Sequence, residues 1–342
     1  MSRRLKILVV GGGSPGAKGA LSAQTLVAMG HDAVLFDDWN FGFSSYSSGP
    51  NALRWLAASR PTMLRPLVTL TSRRFLRAAR LCRPDMILAI RGDRVSRDAF
   101  AQAKAHTGAR LVNWLSDNVL RLPRLLASLD VFDGLFVKDT FVLEELVRRG
   151  YRHVRYLAQC CEPSLHRTLR MSPAETGYYR SDLAIVGAMY PKRLSVAEAL
   201  VDFDLKIWLD HARLRIPAGS PARSRVIPHR AYGLEQTRVF NAARIVVNSH
   251  HEQDVRGVNL RTFEAAGCGA FQLVEWRADL ESLFEPGREI VVFREIGELR
   301  ELARYYLAHD GKRTAIAERA QRRAHAEHTY GHRLPEILRC AA

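Results

Sequence analysis

Two neighbouring segments read Asn248-Ser249-His250-His251-Glu252 and Val258-Asn259-Leu260-Arg261-Thr262-Phe263-Glu264-Ala265-Ala266-Gly267-Cys268-Gly269-Ala270. An apolar run, Ile245–Val247, leads into the first, and another, Phe271–Val274, follows the last. Strand, polar loop, helix and strand in that order make a βαβ unit with two parallel strands. Asn259 suits the helix start because its side-chain oxygen can accept an orphan backbone amide. Gly267 and Gly269 end the helix and admit the next strand. Amides at such a helix start, with the dipole behind them, suit a diphosphate. Arg261 in the first turn adds positive charge. One turn deeper, Glu264 offers an acceptor-only carboxylate to both hydroxyls of a ribose.

The same alternation runs outward through the chain. Apolar runs recur at Leu5–Val10, Ala33–Phe36, Met86–Ile90, Leu111–Leu115, Leu135–Val137 and Val154–Leu157. The pattern lapses between Glu162 and Asp182, then restarts at Leu183–Val186, Leu205–Leu209 and Ile290–Phe293. An α/β protein with two Rossmann-like domains facing across a cleft is predicted, the first over 1–165 and the second over 180–320. Several first-half runs end in polar or acidic groups, among them Asp37-Asp38, Arg91-Gly92-Asp93 and Ser116-Asp117. The carboxyl ends of parallel strands form a ligand crevice, so such groups mark a binding edge.

The 342 residues are 47% hydrophobic and 25% charged, a globular balance. No apolar run approaches the roughly 20 residues that span a bilayer. Leu5–Val10 is too short for a signal peptide and runs into glycines, so a cytoplasmic protein is expected. The five cysteines have no metal-type spacing and read as reduced thiols. The formal charge of +16 favours anionic partners without choosing among them.

Gly11-Gly12-Gly13-Ser14-Pro15-Gly16 follows the first strand as a G-x-G-x-x-G. By motif this is a dinucleotide fingerprint, with Asp37 and Asp38 placed for ribose hydroxyls. An NAD(P)-dependent oxidoreductase is therefore one reading. Pro15 removes an amide that a phosphate would use. Gly12, Gly13 and Ser14 read equally as a backbone loop lining the cleft, or as a structural turn.

The second half resembles the donor site of GT-B glycosyltransferases, especially the CgeB-like branch. The resemblance rests on Asn248, His250, Asn259, Arg261, Phe263, Glu264 and Gly267. It extends to Val186-Gly187-Ala188-Met189-Tyr190-Pro191-Lys192-Arg193 and to His328-Thr329-Tyr330-Gly331-His332-Arg333. It covers about residue 183 to the terminus and is architectural before that. It implies transfer of a sugar from a nucleoside-diphosphate sugar to an acceptor hydroxyl, with no metal ion and no further cofactor. It implies that Glu264 binds the donor ribose and that Arg193 and Arg261 lie near the diphosphate. The Asn259 backbone joins that cradle, and Tyr190, Lys192 and His250 belong to the same site. The final segment, 321–342, is expected to pack back on the first domain. Many retaining members of the family carry a Glu-x7-Glu pair, but the first position is Arg256 here, so the stereochemical outcome is open.

Plainer roles stay open for each residue. Glu264 can pair with an arginine on a solvated helix face, Arg193 can be a surface charge, and His250 can be a structural histidine. His328 and His332 read as stitches for the final helix. For the acceptor, Asp117 follows Trp114 at a strand end and is the candidate general base, with helix capping as the alternative.

From Asn51 to Pro84 there are eight arginines and no Asp or Glu, with leucines and aromatics interleaved. An anionic membrane surface, an acidic acceptor or an ordinary solvated face all fit that pattern. Nucleic acid is not expected as the partner. A non-catalytic protein that binds anions or nucleic acid is the remaining alternative.

Overall fold

The computed structural model describes residues 3–38, 64–209, 216–227 and 229–340. The chain divides into two compact units. The first takes Met1–Lys138, Val142–Leu157 and Tyr330–Ala342; the second takes Asp139–Phe141 and Ala158–Thr329.

Unit 1 holds β1 (Lys6–Gly11), β2 (Asp32–Asp37), β3 (Met86–Ile90), β4 (Arg110–Leu115), β5 (Gly134–Val137) and β6 (Val154–Tyr156). They pair in the order β2-β1-β3-β4-β5-β6, all parallel. Ile7, Leu8, Val9 and Val10 are each at most 1% exposed. A parallel strand covered on both faces reads as an unbroken apolar run, which is why β1 shows no alternation. The order reverses at β1, and the glycine loop leaves the sheet at that switch point. A Cβ on Gly19 would stand 2.8 Å from the Gly12 carbonyl oxygen, so the helix Lys18–Ala28 sits directly on the loop.

Unit 2 holds β7 (Ser181–Val186), β8 (Leu205–Trp208), β9 (Val226–Ile227), β10 (Ala243–Asn248), β11 (Gln272–Glu275) and β12 (Val291–Phe293). The order is β12-β11-β10-β7-β8-β9, again all parallel. This is the doubly wound nucleotide-binding order, with its switch point between β7 and β10. Successive β7 residues face opposite layers: Leu183 and Ile185 join one buried cluster, Ala184 and Val186 the other.

The segment 321–342 is two helices rather than one. Asp310–Glu327 belongs to unit 2 and Tyr330–Leu338 to unit 1. The break falls at His328, whose ring lies against Phe263 and Phe284 at 5.4 and 5.2 Å. Its Nε2 is 2.8 Å from the Leu283 carbonyl oxygen, and the Cys161 amide donates to the His328 carbonyl. Two residues later the Tyr330 ring meets Trp114 edge-on at 5.9 Å inside unit 1.

Of the arginine-rich stretch, residues 51–63 lie outside the described residues. Leu64–Cys82 is a helix. Among the described residues no helix is long and apolar enough to cross a membrane.

Candidate functional site

The switch point of unit 2 sets the ends of β7 and β10 side by side. Gly187, just past β7, has φ +107, and a Cβ there would stand 2.5 Å from Arg261 Nη2. The position is bare because a guanidinium rests on its backbone. Arg261 rides on the helix Leu260–Gly267, capped by Asn259, whose side chain accepts the Thr262 amide at 3.2 Å. Asn248 and Asn259 exchange side-chain amide bonds of 3.1 and 2.9 Å, clamping the strand end to the cap.

His250 is fully buried, and its Nδ1 accepts the Asn259 amide at 3.3 Å. A neutral imidazole that accepts through Nδ1 carries its proton on Nε2. The Asn259 amide, expected in an anion cradle, is thus taken by His250. The amides of Leu260 and Arg261, which no helical carbonyl reaches, remain at the helix start.

Arg193 is 4% exposed, so it is not a surface charge. Its guanidinium donates to the Ser249 carbonyl (2.7 Å), the Ala188 carbonyl (2.8 Å) and Ser249 Oγ (3.2 Å). Among the described residues no carboxylate forms an ion pair with it. Burial pulls its pKa down to about 10; Tyr190 opposes that, and the positive charge of Arg261 adds to it. Tyr190 lies beneath, 4.5 Å from ring centre to guanidinium, and its hydroxyl donates to the Ser249 carbonyl at 2.8 Å. Arg261 Nε is buried without an acceptor among the described residues. Two guanidinium groups therefore share one strand-end crevice.

Glu264 is 7% exposed and, among the described residues, pairs with no arginine, so the solvated-face alternative does not hold. Its Oε2 accepts from Gln236 Nε2 at 2.5 Å, and its Oε1 is 3.8 Å from His166 Nε2. The His166 pKa is lowered, chiefly by burial. His166 Nδ1 accepts the Glu162 amide at 2.9 Å, which points the Nε2 proton at Glu264.

Lys192 ion-pairs with Glu275 at the end of β11. Glu275 also accepts from Arg277 at 2.7 Å and from the His250 amide at 3.0 Å. Burial raises the Glu275 pKa, but Lys192 and Arg277 outweigh it and the net shift is downward. Lys192 thus braces the His250 loop through Glu275. The sequence reading missed Glu275, Gln236 and His166. An acid closing a strand was the available signal for Glu275; nothing in the spacing marked the other two.

In unit 1, Arg91 at the end of β3 has φ +71, and Asn113 Nδ2 holds its carbonyl at 2.9 Å. Its guanidinium makes two 2.8 Å bonds to Asp93 and one of 2.9 Å to Asp117 Oδ2. Burial disfavours the Arg91 cation, but the two carboxylates outweigh it and its pKa rises. The turn after β4 is capped by Asn118, which accepts the Leu120 amide at 3.1 Å, so Asp117 is not the cap. On the glycine loop, a Cβ at Gly13 would stand 2.6 Å from Asp37 Oδ2. Gly12 and Ser14 flank Gly13, and the Ser14 carbonyl accepts the Ala17 amide at 2.8 Å. Lys18 follows, its ammonium 3.4 Å from the Trp114 ring centre and 3.3 Å from Ser116 Oγ.

Residues 171–339 match the model of a family described as glycosyl transferase-like. Spore protein CgeB of Bacillus subtilis (strain 168) is 25% identical over 254 residues, 68% of this chain and 75% of that protein. Anabaena Alr3699/HepE in complex with UDP-glucose superposes with a TM-score of 0.62 at 15% identity, over 98% of this chain and 100% of that one. The catalytic domain of Starch Synthase IV from Arabidopsis thaliana, bound to ADP and acarbose, gives 0.68 at 10% identity over 99% of both chains. Sucrose-phosphate synthase from Thermosynechococcus elongatus gives 0.64 at 13% identity over 98% of both. Fold and family model define the class: the chain is a glycosyltransferase of the GT-B fold. Within that class it is CgeB-like. The choice left open between transferase and oxidoreductase falls to transferase.

Proposed function

We propose that unit 2 binds a nucleoside-diphosphate sugar and that the enzyme passes its glycosyl group to an acceptor hydroxyl without a metal ion. The observation that carries this reading is the pair of guanidinium groups at the β7–β10 switch point. Among the described residues Arg193 is buried with no carboxylate in ion-pair contact, and Arg261 beside it has a buried Nε without an acceptor. A buried cation is costly unless an anion balances it, and a diphosphate supplies that balance. The Leu260 and Arg261 amides add donors at the helix start. Glu264, held from behind by Gln236 and His166, keeps acceptor capacity for ribose hydroxyls.

As the sugar–phosphate bond breaks, charge builds on the leaving diphosphate. Two guanidinium groups already in place stabilise it without rearrangement, the part a bound cation plays elsewhere. Tyr190 supports Arg193 from below, while His250 and Lys192 fix the loop between β10 and the helix. The complexes of HepE with UDP-glucose and of Starch Synthase IV with ADP are in keeping with this donor class. On the acceptor side, Asp117 uses the oxygen that Arg91 leaves unbonded to take the acceptor proton. The Gly12–Ser14 loop lines the same edge of unit 1. We place the protein in the cytoplasm, in peripheral contact with an anionic membrane.

Thermal shift with UDP, GDP, dTDP and NAD tests the donor assignment. At least one nucleoside diphosphate should raise the melting temperature by mass action on the folded state. Arg261→Ala and Glu264→Gln should remove most of that shift. Stabilisation by NAD alone, or an undiminished shift in both variants, sinks the reading. Release of nucleoside diphosphate in a screen of activated sugars then identifies the donor.

A further inference from the structure

The helix Leu64–Cys82 turns one face inward and leaves the other to solvent. Thr71, Ser72, Phe75 and Ala79 are buried, and Ser72 Oγ accepts the Ser96 amide at 2.9 Å. Leu70, Arg73, Arg74, Arg77, Arg80 and Leu81 are exposed. At 100° per residue these six side chains fall within an arc of about 120°, so they form one stripe along the helix. The stripe contains no acid, and among the described residues Arg73, Arg77 and Arg80 pair with no carboxylate. Leu70 and Leu81 are 50% and 77% exposed, toward either end of it.

We propose that this stripe is a docking surface for an anionic lipid bilayer. Its charge is of one sign, and the helix is about 28 Å long and presents a row rather than a concave pocket. A row of that length matches a plane of headgroups. Two leucines level with the arginines lie where a headgroup layer gives way to acyl chains, and arginine stems can lie along that boundary. A strand of nucleic acid would use the arginines but gives exposed leucines nothing to bury. The ordinary solvated face expects intermingled acids, and this stripe has none.

Flotation with vesicles of phosphatidylcholine alone, and of phosphatidylcholine with phosphatidylglycerol, tests the surface on the full chain without needing enzymatic activity. Failure here therefore leaves the donor assignment standing, and failure of nucleotide binding leaves this surface standing. The protein should float with the anionic vesicles and be released by salt. The variant R73E/R77E/R80E should partition at least 100-fold less, since each arginine near such a surface contributes several-fold. A control of equal charge change, R149E/R152E/R322E, reverses exposed arginines on other elements and should float like the parent. L70S/L81S should weaken flotation while leaving its salt dependence. Equal partition into both vesicle types overturns the proposal. So does equal loss in the two charge variants, or an oligonucleotide held as tightly as vesicles and lost with the same three arginines. Unchanged circular dichroism and melting temperature in each variant exclude misfolding.

Discussion

Arg261 lies on the backbone of Gly187 so closely that a single added methyl group would overlap its guanidinium. Gly187→Ala must therefore push Arg261 off its seat and strain a backbone at φ +107. The variant should still fold and should bind a nucleoside diphosphate at least tenfold more weakly by calorimetry. Binding within twofold of the parent removes Arg261 from the diphosphate.

Arg193→Lys keeps a positive charge but cannot serve Ser249 and Ala188 together, because one ammonium lacks the planar fork. Under-bonded buried carbonyls cost about 1–3 kcal/mol each. Urea denaturation should show a loss of about 2 kcal/mol, with the nucleotide-induced shift also reduced. A variant as stable as the parent contradicts the bracing role.

Glu264→Gln leaves an amide oxygen that can still accept from Gln236, so the fold should survive. Hydrogen bonds to a charged group exceed neutral ones by about 1–2 kcal/mol, so nucleotide affinity should fall about tenfold or more. Equal affinities for the parent and this variant would falsify the ribose contact.

Asp117→Asn tests the acceptor side. A general base contributes on the order of 10²–10⁴-fold to a rate, so kcat should fall at least 100-fold while nucleotide binding stays unchanged. Turnover within a few-fold of the parent retires Asp117 as the base and leaves it as a partner of Arg91.

Asp38 gives a pH signature. It is 2% exposed, and burial foremost lifts its pKa from 3.8 to about 7, with Arg94 opposing and Asp93 and Asp37 adding. A carboxylate raised in the folded state binds its proton more tightly there than in the unfolded chain. Stability is then lost as pH climbs from about 4 to about 7, by at most roughly 4 kcal/mol. Asp38→Asn should stabilise the protein at pH 8 and change little at pH 4. Equal gains at both values would show that the carboxyl is not held protonated.

Much of this was legible because parallel strands buried on both faces announce themselves as apolar runs. The Asn259 cap, the glycine exit at Gly267–Gly269 and the position of Glu264 followed from rules acting within one turn of helix. Contacts spanning many residues were not legible. Lys192 meets Glu275 across 83 residues, and Gln236 meets Glu264 across 28. Both follow from a sheet order that sets β10 beside β7. Asp117 was read correctly as a strand-end acid, yet its bond to Arg91 depends on β3 and β4 being neighbours. The glycine loop was the least decisive stretch, since its pattern and the β2 carboxylate packed on Gly13 suit a dinucleotide fingerprint and a plain backbone loop alike.

The last thirteen residues are counted with unit 1 although the polypeptide reaches them from unit 2. Anyone grafting a foreign second half onto this protein must therefore treat head and tail as one inheritance. A hybrid that keeps residues 1–157 but takes its tail from another parent would press an unrelated side chain against Trp114, and should come out insoluble. Restoring Tyr330–Leu338 from the original should rescue it.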